Sequence, residues 1–322
     1  MKTLVIGATG YIGSAVAAAL RARGHEVSGL ARTRDKFAKL QSAGIDPVIL
    51  GSGELRYLAE RVRPFDALVV AVMLSFEEEA ELVQALLTPL RGRDRVFIFT
   101  SGTGVLSIAA RRGEWNENTF AEDDPFPFPA LFNRLARIGT EDAVREAAGD
   151  GFRSMVVRPP IVFGNGGSVH IPQLFRSAEI GGNVLYLGHG LNLYSNVHVD
   201  DLAQLYCLCM EKGETGGLYH AVAGEANFRS IAEAIGQVLG CGTQSLELEA
   251  LCRLCGREWV EVGLAVNSRS KAVRSRAELG WQPRMLDLIA DIRAGSYRAA
   301  FEKANGNPYA IHAAPKLSRD AR

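Results

Sequence analysis

A glycine-rich turn near the start of the chain constrains the fold more than any other feature of the sequence. The apolar run Leu4-Val5-Ile6 leads directly into a turn with three spaced glycines, and a helical pattern follows. Such glycines permit a tight turn, close approach of a pyrophosphate and close packing of helix on strand, while the open N–H groups of the helix attract an anion. The pattern predicts a dinucleotide-binding strand–turn–helix. The residues predicted to hold the dinucleotide are Gly7, Thr9, Gly10, Tyr11, Ile12 and Gly13.

Strand and helix patterns alternate regularly through the first half of the chain. Apolar runs at 26–30, 47–50, 66–72, 96–100 and 154–158 predict strands, and helical periodicity is present at 13–23, 76–90 and 131–148. This alternation predicts an α/β fold with a Rossmann-type doubly wound parallel sheet. The less regular second half, with predicted helices at 200–211, 229–239 and 286–303, indicates a smaller C-terminal α/β substrate lobe. We expect the nucleotide-binding domain at 1–165 and 194–224, the lobe at 166–193 and 225–303, and a tail at 304–322.

Charge and cysteine content narrow the class of protein. Lys plus Arg and Asp plus Glu number 36 each among 322 residues, so nothing in the balance favours nucleic acid or an anionic membrane as partner. The apolar run at 67–74 is too short to span a bilayer. Cys252 and Cys255 have C-x-x-C spacing, but no second ligand pair lies nearby, so we expect reduced thiols and no metal. A small-molecule substrate and a cytoplasmic location are predicted.

Four later segments strengthen the interpretation of the first turn. They are Phe99-Thr100-Ser101-Gly102-Thr103-Gly104-Val105, Arg158-Pro159-Pro160-Ile161-Val162-Phe163-Gly164, Val197-His198-Val199-Asp200-Asp201-Leu202-Ala203 and Leu279-Gly280-Trp281-Gln282-Pro283. Together with the glycine turn, in this order, they resemble the extended short-chain dehydrogenase/reductase family, of the nucleotide-sugar epimerase and dehydratase type. The resemblance implies a nicotinamide dinucleotide cofactor, with Ala71 and Pro159 among its contacts.

The end of the second strand predicts which dinucleotide is bound. Folds that choose NAD place an acidic residue there to accept a hydrogen bond from the ribose 2′-hydroxyl. Here the position falls at about Ala31, and Arg32, Arg34 and Lys36 follow. Guanidinium groups match phosphate oxygens, so this segment favours NADP over NAD. Ser52 stands where the family often has an aspartate that contacts adenine, and that contact is not predicted here.

The proton donor that the family uses is missing. The resemblance implies Tyr-x-x-x-Lys on the helix after the fifth strand, but Asn133 falls at the tyrosine position and Arg137 at the lysine position. Arg137 can still hydrogen-bond a ribose, whereas an amide such as Asn133 can only orient substrate or water. The family's usual strand-five hydroxyl aligns with Gly102. Ser101 and Thr103 are therefore candidates to polarise a carbonyl, although such residues equally satisfy backbone groups in turns.

Three explanations of the missing tyrosine remain open. In the first, the proton donor is another residue, with Tyr194, His170 and His198 as candidates. In the second, the substrate is an iminium ion or a conjugated C=C, which needs little proton donation. In the third, the chain binds NADP as a redox sensor or uses the site for epimerase, dehydratase or lyase chemistry. We expect a pocket between the sheet and the second lobe. Its predicted lining is Met73, Leu74, Ser101, Thr103, Asn133, Asn165, His170 and Tyr194. Helices 76–90 and 131–148 are expected to form a homodimer.

Overall fold

The computed structural model describes residues 1–31, 33–49, 55–90, 94–129, 131, 134–149, 151–303 and 312–313. The predictions made for Arg32, Ser52, Asn133 and the tail at 304–322 therefore lie outside the described residues, apart from positions 312–313.

Alternating strands and helices make up the first half of the chain. In order these are β1 (Lys2–Ile6), α1 (Tyr11–Ala22), β2 (Glu26–Ala31), α2 (Arg34–Ser42), β3 (Asp46–Ile49), α3 (Leu55–Val62), β4 (Ala67–Val70), α4 (Phe76–Leu87), β5 (Arg95–Thr100), a 3₁₀ turn (Thr103–Leu106), β6 (Ile108–Ala109), α5 (Arg134–Glu146) and β7 (Phe152–Arg158).

Shorter elements make up the second half. In order these are β8 (Ile161–Phe163), β9 (Gly167–Ser168), α6 (Ile171–Gly181), β10 (Val184–Leu187), β11 (Leu193–His198), α7 (Val199–Lys212), β12 (Leu218–His220), β13 (Gly224–Asn227), α8 (Phe228–Leu239), β14 (Thr243–Leu246), α9 (Leu248–Cys255), α10 (Arg257–Trp259), a π-helix (Val260–Leu264), β15 (Val266–Asn267), α11 (Val273–Ala277), α12 (Leu288–Ala294), α13 (Ser296–Lys303) and β16 (His312–Ala313).

The main sheet confirms the predicted doubly wound architecture. Seven strands lie in the order β12-β7-β5-β4-β1-β2-β3, and every neighbouring pair is parallel. The strands carry nearly continuous apolar runs because both faces of the sheet are covered. Val5 and Val69 belong to the core beneath α1 and α7, whereas Leu4 and Leu68 belong to the core beneath α3, α4 and α5. The carboxyl ends of β1, β4, β5 and β7 consequently meet at one edge, where ligands bind in such folds.

A second hydrophobic core lies outside the main sheet. It joins α6, α8, α9 and α12 to the parallel pair β10–β14 and the three strands β13-β11-β8. Its large buried side chains include Phe163, Phe175, Phe228 and Tyr297. Among the described helices, none is both long and apolar enough to cross a membrane.

The predicted single helix at 286–303 is wrong. The chain forms α12 and α13 instead, because Gly295 leaves the helical conformation (φ −105°, ψ −135°). Asp291 then accepts hydrogen bonds from the backbone N and the hydroxyl of Ser296, both at 2.8 Å, and so starts the second helix. Side-chain capping of this kind competes with helix continuation.

Candidate functional site

The glycine turn joins β1 to α1 through positions that admit no side chain. Gly7 has φ +97°, and a Cβ there would lie 2.2 Å from the Ala71 carbonyl oxygen. A Cβ at Gly13 would lie 2.2 Å from the Gly7 carbonyl oxygen. Gly10 donates to that same oxygen at 2.8 Å and precedes the first helical residue. The backbone is therefore drawn together tightly enough for only glycine to fit.

Side chains support this turn from two directions. Lys39 of α2 donates to the Thr9 carbonyl oxygen at 2.8 Å. The Tyr11 phenol donates to the Gly164 carbonyl oxygen at 2.8 Å, which ties the start of α1 to the segment after β8. The first turn of α1 contains no acidic side chain, and its partly exposed residue Ile12 lies beside the turn. An open helix N-terminus above a glycine-only cradle fits a dinucleotide pyrophosphate.

The end of β2 has the composition expected around a phosphate. Ala31, 2% exposed, ends the strand where a carboxylate would select NAD. Thr33 then caps α2 by accepting a hydrogen bond from the Lys36 N–H at 3.4 Å. Arg34 is the exposed first residue of that helix. The first turn of α2, with Arg34 and Lys36 on either side of Asp35, therefore has a net positive charge and follows an apolar strand end.

Two predicted backbone contacts lie at the same sheet edge. Ala71 follows β4 and donates its N–H to the Ile6 carbonyl oxygen at 2.8 Å, so its own carbonyl faces Gly7. Pro159 follows β7, and its carbonyl oxygen accepts the Thr103 N–H at 2.9 Å. Both residues thus lie at the carboxyl ends of the strands, the edge where ligands bind in such folds.

The end of β5 rests on a buried ion pair. Arg158 donates through Nε to both carboxylate oxygens of Glu141, at 3.0 and 3.1 Å, and also through Nη2. Ser101, the first residue beyond β5, donates its hydroxyl hydrogen to Glu141 as well. All three residues are at most 7% exposed. The Ser101 hydrogen is therefore already engaged by a carboxylate, which limits its capacity to polarise a carbonyl.

Arg137 is also held by a carboxylate. Its Nη2 lies 2.9 Å from Glu79 Oε2 and 3.4 Å from the Thr100 carbonyl oxygen at the end of β5. Glu79, on the first turn of α4, is 2% exposed, and its Oε1 has no hydrogen-bond partner in the described part of the chain. Burial raises the pKa of Glu79 to about 7, although the Arg137 charge opposes the rise. Arg137, which is predicted to hydrogen-bond the ribose, is thus paired with Glu79, whose pKa lies near neutral pH.

Tyr194 lies next to the 3₁₀ turn that follows β5. Its hydroxyl is 3.4 Å from the position that a Cβ of Gly104 would take. Burial raises the pKa of the Tyr194 phenol, and the nearby hydroxyls of Ser268, Ser107 and Thr103 partly offset the rise. Thr103 is completely buried, so its hydroxyl points into this cluster. Tyr194 and Thr103 are therefore brought together, in a group of hydroxyls at the junction of sheet and lobe.

The two candidate histidines have different surroundings. The His170 ring lies 5.4 Å from the Tyr194 ring, and burial lowers the pKa of His170 to about 4. His198 accepts the Asp200 N–H on Nδ1 at 3.2 Å and so caps α7. His170 is neutral and lies close to the hydroxyl groups around Tyr194. His198, by contrast, is engaged in capping the start of α7.

The other residues predicted to line the pocket lie towards solvent. Met73 is 48% exposed, and Leu74 is partly buried against the core on the α4 side. Asn165 has φ +52° and donates to Asp200 Oδ1 at 3.1 Å. A separate open groove of about 610 Å³ beyond β12 contains none of the predicted lining residues; its neighbours include Val222, Ser270 and Lys271. The groove is therefore not the predicted pocket.

The cysteines show no sign of redox or metal chemistry. All five are free, and Cys252 and Cys255 lie on the last turns of α9. Burial raises the pKa of both thiols, that of Cys255 to about 11. Reactive cysteines have a lowered pKa. No group of three or more potential metal-ligating side chains occurs among the described residues.

Sequence reasoning missed the buried acids that serve the site. Glu79 belongs to the run Glu77-Glu78-Glu79 at the start of α4, where acidic side chains generally favour the helix dipole. Glu79 alone of the three lies on the face of Leu82, Val83 and Leu86, at helical spacings of three, four and seven residues. That spacing was a usable signal for a buried acid.

Comparison with known proteins agrees with this geometry. Residues 3–222 match the NAD dependent epimerase/dehydratase family. The uncharacterised Schizosaccharomyces pombe protein C2A9.02 is 31% identical over 307 residues, 92% of this chain and 100% of that protein. A Stigmatella aurantiaca ketoreductase acting on 4-hydroxy-2-methyl-3-oxo-4-farnesyl-3,4-dihydroquinoline-1-oxide is 29% identical over 70% of this chain and 69% of its own.

Solved structures share the whole fold. Human SDR39U1, determined with NADPH, superposes with a TM-score of 0.66 at 20% identity, covering 92% of this chain and 99% of that one. Other structural neighbours hold NAD. The chain therefore belongs to the NAD dependent epimerase/dehydratase family and is an NAD(P)-dependent enzyme of the oxidoreductase or epimerase type.

Proposed function

We propose that the protein is an NADP(H)-dependent oxidoreductase of the extended short-chain dehydrogenase type that acts on a small organic C=O, C=N or conjugated C=C substrate. The observation that carries this proposal is the glycine-only cradle below an open helix N-terminus, at the edge where the Tyr194 cluster also lies. Residues 1–165 and 194–224 would bind the nucleotide, and 166–193 with 225–303 the substrate. Ile161, Phe163 and Tyr194 pack in the second core, so both parts would contribute to the boundary.

The residues named for the cofactor have distinct tasks in this proposal. Gly7 and Gly13 would permit the tight turn, Gly10 would let the pyrophosphate approach the backbone, and the N–H groups of α1 would bind it. Arg34 and Arg32 would bind the 2′-phosphate; Arg34 starts α2 after an alanine rather than an acid. Arg137 would reach the nicotinamide ribose from its position beside the Thr100 carbonyl. The bound nicotinamide supplies or accepts the hydride.

The NADP preference is supported by human SDR39U1, a relative whose structure was solved with NADPH, and it requires a direct test on this chain. We expect Arg34→Glu to weaken NADPH binding about tenfold while leaving NADH binding nearly unchanged. Arg253→Ala, which changes an exposed arginine of the second lobe, is the control. Calorimetric titration of both dinucleotides measures the effect. Tighter binding of NADH than NADPH by the wild type would reject the preference.

The acidity of the side chains available as proton donors limits the class of substrate that the site can reduce. Tyr194 has a raised pKa, His170 is neutral, and the Ser101 hydrogen is engaged by Glu141. None of these groups is a strong acid near neutral pH, so we favour a substrate that needs little proton donation, such as an iminium ion or an enone. Loss of the ultraviolet absorbance of reduced nicotinamide, measured against carbonyl, imine and enone panels, tests this. Turnover with simple ketones alone would favour a relocated acid, Tyr194 or His170.

A redox sensor is the second candidate function. It is favoured by the two carboxylates that already hold Ser101 and Arg137, because such a site is ordered without reacting groups directed at substrate. Tight NADPH binding with no turnover on any panel would support the sensor. Product formation from any panel member would reject it.

We further propose a cytoplasmic homodimer. Leu135 is 71% exposed on α5, next to α4, and offers an apolar contact between two copies. Five free thiols suit a reducing compartment. Sedimentation at micromolar concentration should show a dimer that Leu135→Glu dissociates, and a wild-type monomer would reject this assembly. Fractionation of cells expressing the full chain tests the location.

A further inference from the structure

Trp259 has a buried hydrogen-bond donor without a partner. Its indole Nε1 is inaccessible to solvent and has no acceptor among the described residues. By contrast, Trp281 donates its Nε1–H to the Asp201 carbonyl oxygen at 2.9 Å. A buried donor left unpaired costs about 1–3 kcal/mol, so an unsatisfied indole requires an explanation.

The backbone around Trp259 is unusual as well. Trp259 ends α10 and leads directly into the π-helix Val260–Leu264. π-Helical turns are rare and occur frequently at functional sites. The wider turn places Gly263 beside the indole.

Gly263 leaves a small gap between two ring nitrogens. A Cβ at this position would lie 3.4 Å from Trp259 Nε1 and 3.4 Å from His170 Nε2. The His170 ring has no hydrogen-bond partner in the described part of the chain, although its backbone N–H donates to Ser168. Two ring nitrogens thus border the same gap: the Trp259 nitrogen is buried, the His170 ring is partly exposed, and no partner for either lies among the described residues.

The surroundings of the gap favour an uncharged ligand. No charged side chain shifts the His170 titration, and burial keeps its imidazole neutral. An isolated anion would lose its hydration there without a cation to replace it. A neutral oxygen acceptor would satisfy the indole N–H, and the imidazole would supply a second donor or an acceptor according to its tautomer.

Ring contacts connect the gap to the site at the end of β5. The His170 ring packs 5.4 Å from the Tyr194 ring, and the Tyr194 hydroxyl approaches Gly104 in the 3₁₀ turn. We propose that Trp259 and His170, across Gly263, form a subsite for a neutral hydrogen-bond acceptor, the carbonyl or similar oxygen of an uncharged substrate. The identity of this ligand as substrate rests on the proposed oxidoreductase function; the binding of an acceptor does not.

Indole N–H resonances provide the test, because the chain has three tryptophans. In ¹⁵N-labelled full-length protein, Trp259→Phe and Trp115→Phe assign the resonances of the buried and exposed residues. Titration with cyclohexanone should shift the Trp259 resonance progressively and leave that of Trp115 unmoved. Acetate, an anionic acceptor, should leave both unmoved. An equal response of Trp115, or an equal response of Trp259 to acetate, would overturn the subsite, as would no response to cyclohexanone.

Gly263→Ala is the decisive variant because it fills the gap without forcing the backbone. The added methyl group would make ordinary 3.4 Å contacts, and Gly263 does not have the positive φ that excludes alanine. We expect about tenfold weaker cyclohexanone binding. Gly139→Ala is the control, because a Cβ there has no neighbour within 4 Å. Unchanged binding by a folded Gly263→Ala protein would contradict the proposal.

NADPH titration of the same samples separates the two proposals. If cyclohexanone moves the Trp259 resonance but NADPH does not bind, the proposed oxidoreductase function is wrong and the subsite remains. If NADPH binds but the Trp259 resonance is unresponsive, the subsite is wrong and the proposed function remains.

Discussion

The two ends of the candidate site differ in what determines their structure: backbone packing at one end and paired side chains at the other. At the proposed nucleotide end, the backbone packs so closely on itself at Gly7 and Gly13 that only glycine fits. At the reactive end, buried carboxyl groups paired with guanidinium groups hold the polar groups in place: Glu141 with Arg158, and Glu79 with Arg137. The nucleotide end should therefore be sensitive to added atoms and insensitive to pH. The reactive end should show the opposite sensitivities.

Removing one partner of the buried ion pair should have the largest effect. Glu141→Ala leaves the Arg158 guanidinium, which is 7% exposed, without its carboxylate. We expect the free energy of unfolding to fall by about 3–5 kcal/mol, because an uncompensated charge stays buried. Urea unfolding measures this loss.

The matched control for that variant removes both charges. The double variant Glu141→Leu with Arg158→Met keeps apolar volume and should recover most of the lost stability. If the single and double variants were equally unstable, the charge itself would not explain the loss. The reactive end would then depend on packing, as the nucleotide end does.

Gly13→Ala tests the nucleotide end. The new Cβ would lie 2.2 Å from the Gly7 carbonyl oxygen and 2.6 Å from its carbon, so the backbone must move. We expect a loss of about 3 kcal/mol in stability and no measurable NADPH binding. Thermal unfolding and calorimetric titration report the two effects. Gly139→Ala, with open space around its new methyl group inside α5, should leave NADPH binding unchanged and raise stability by about 0.5–1 kcal/mol; wild-type affinity in Gly13→Ala would disprove the cradle.

The pH dependence of stability distinguishes the ends further. The pKa of Glu79 is raised from 4.5 to about 7. Between these values the folded protein holds a proton that the unfolded chain has released, so this group lowers stability as pH rises towards 7. Glu79→Gln cannot ionise, and its stability relative to the wild type should increase by up to about 3 kcal/mol across this range.

Two histidines also change the stability of the wild type with pH. The effect of Glu79 is therefore measured as the difference in free energy of unfolding between the wild type and Glu79→Gln at each pH. Burial lowers the pKa of His170 to about 4 and that of His220 to about 3, from 6.5. The stability that these groups contribute is present above pH 6.5 and lost as pH falls, opposite in sign to the Glu79 effect. Parallel wild-type and Glu79→Gln stability curves, determined by denaturant titration at several pH values, would show that Glu79 keeps an ordinary pKa.

The sequence predicted the parallel sheet and the glycine turn, but it did not predict the buried acids near the end of β5, for a physical reason. A glycine turn between an apolar strand and a helix is a local pattern, and the parallel sheet follows from alternation along the chain. The pair Glu141–Arg158 joins α5 to β7, and the Trp259–Gly263 gap meets His170 from a distant segment. Such contacts depend on tertiary packing. Only Glu79, through its spacing with buried leucines, had a local signal.

Other errors have the same origin. The predicted helix at 286–303 ignored Gly295, whose break is fixed by the bonds between Asp291 and Ser296. For Ser101, which stays a candidate to polarise a carbonyl, the sequence did not reveal the buried partner Glu141, which lies 40 residues away in the chain. Periodicity places residues on faces and cannot show which buried acid they meet.

We expect the smallest effect on stability and NADPH binding from the loss of Lys39, a side chain that supports the glycine turn. Lys39 donates to the Thr9 carbonyl oxygen at 2.8 Å, yet it is exposed, so water can replace its ammonium group. Lys39→Met should cost about 0.5 kcal/mol of stability and weaken NADPH binding only about twofold, because the pyrophosphate is bound by backbone N–H groups that the variant retains. Lys303→Met, at the end of α13, serves as the control for loss of one surface charge. A loss of NADPH affinity as large as that of Gly13→Ala would mean that a side chain, and not the main chain, holds the nucleotide.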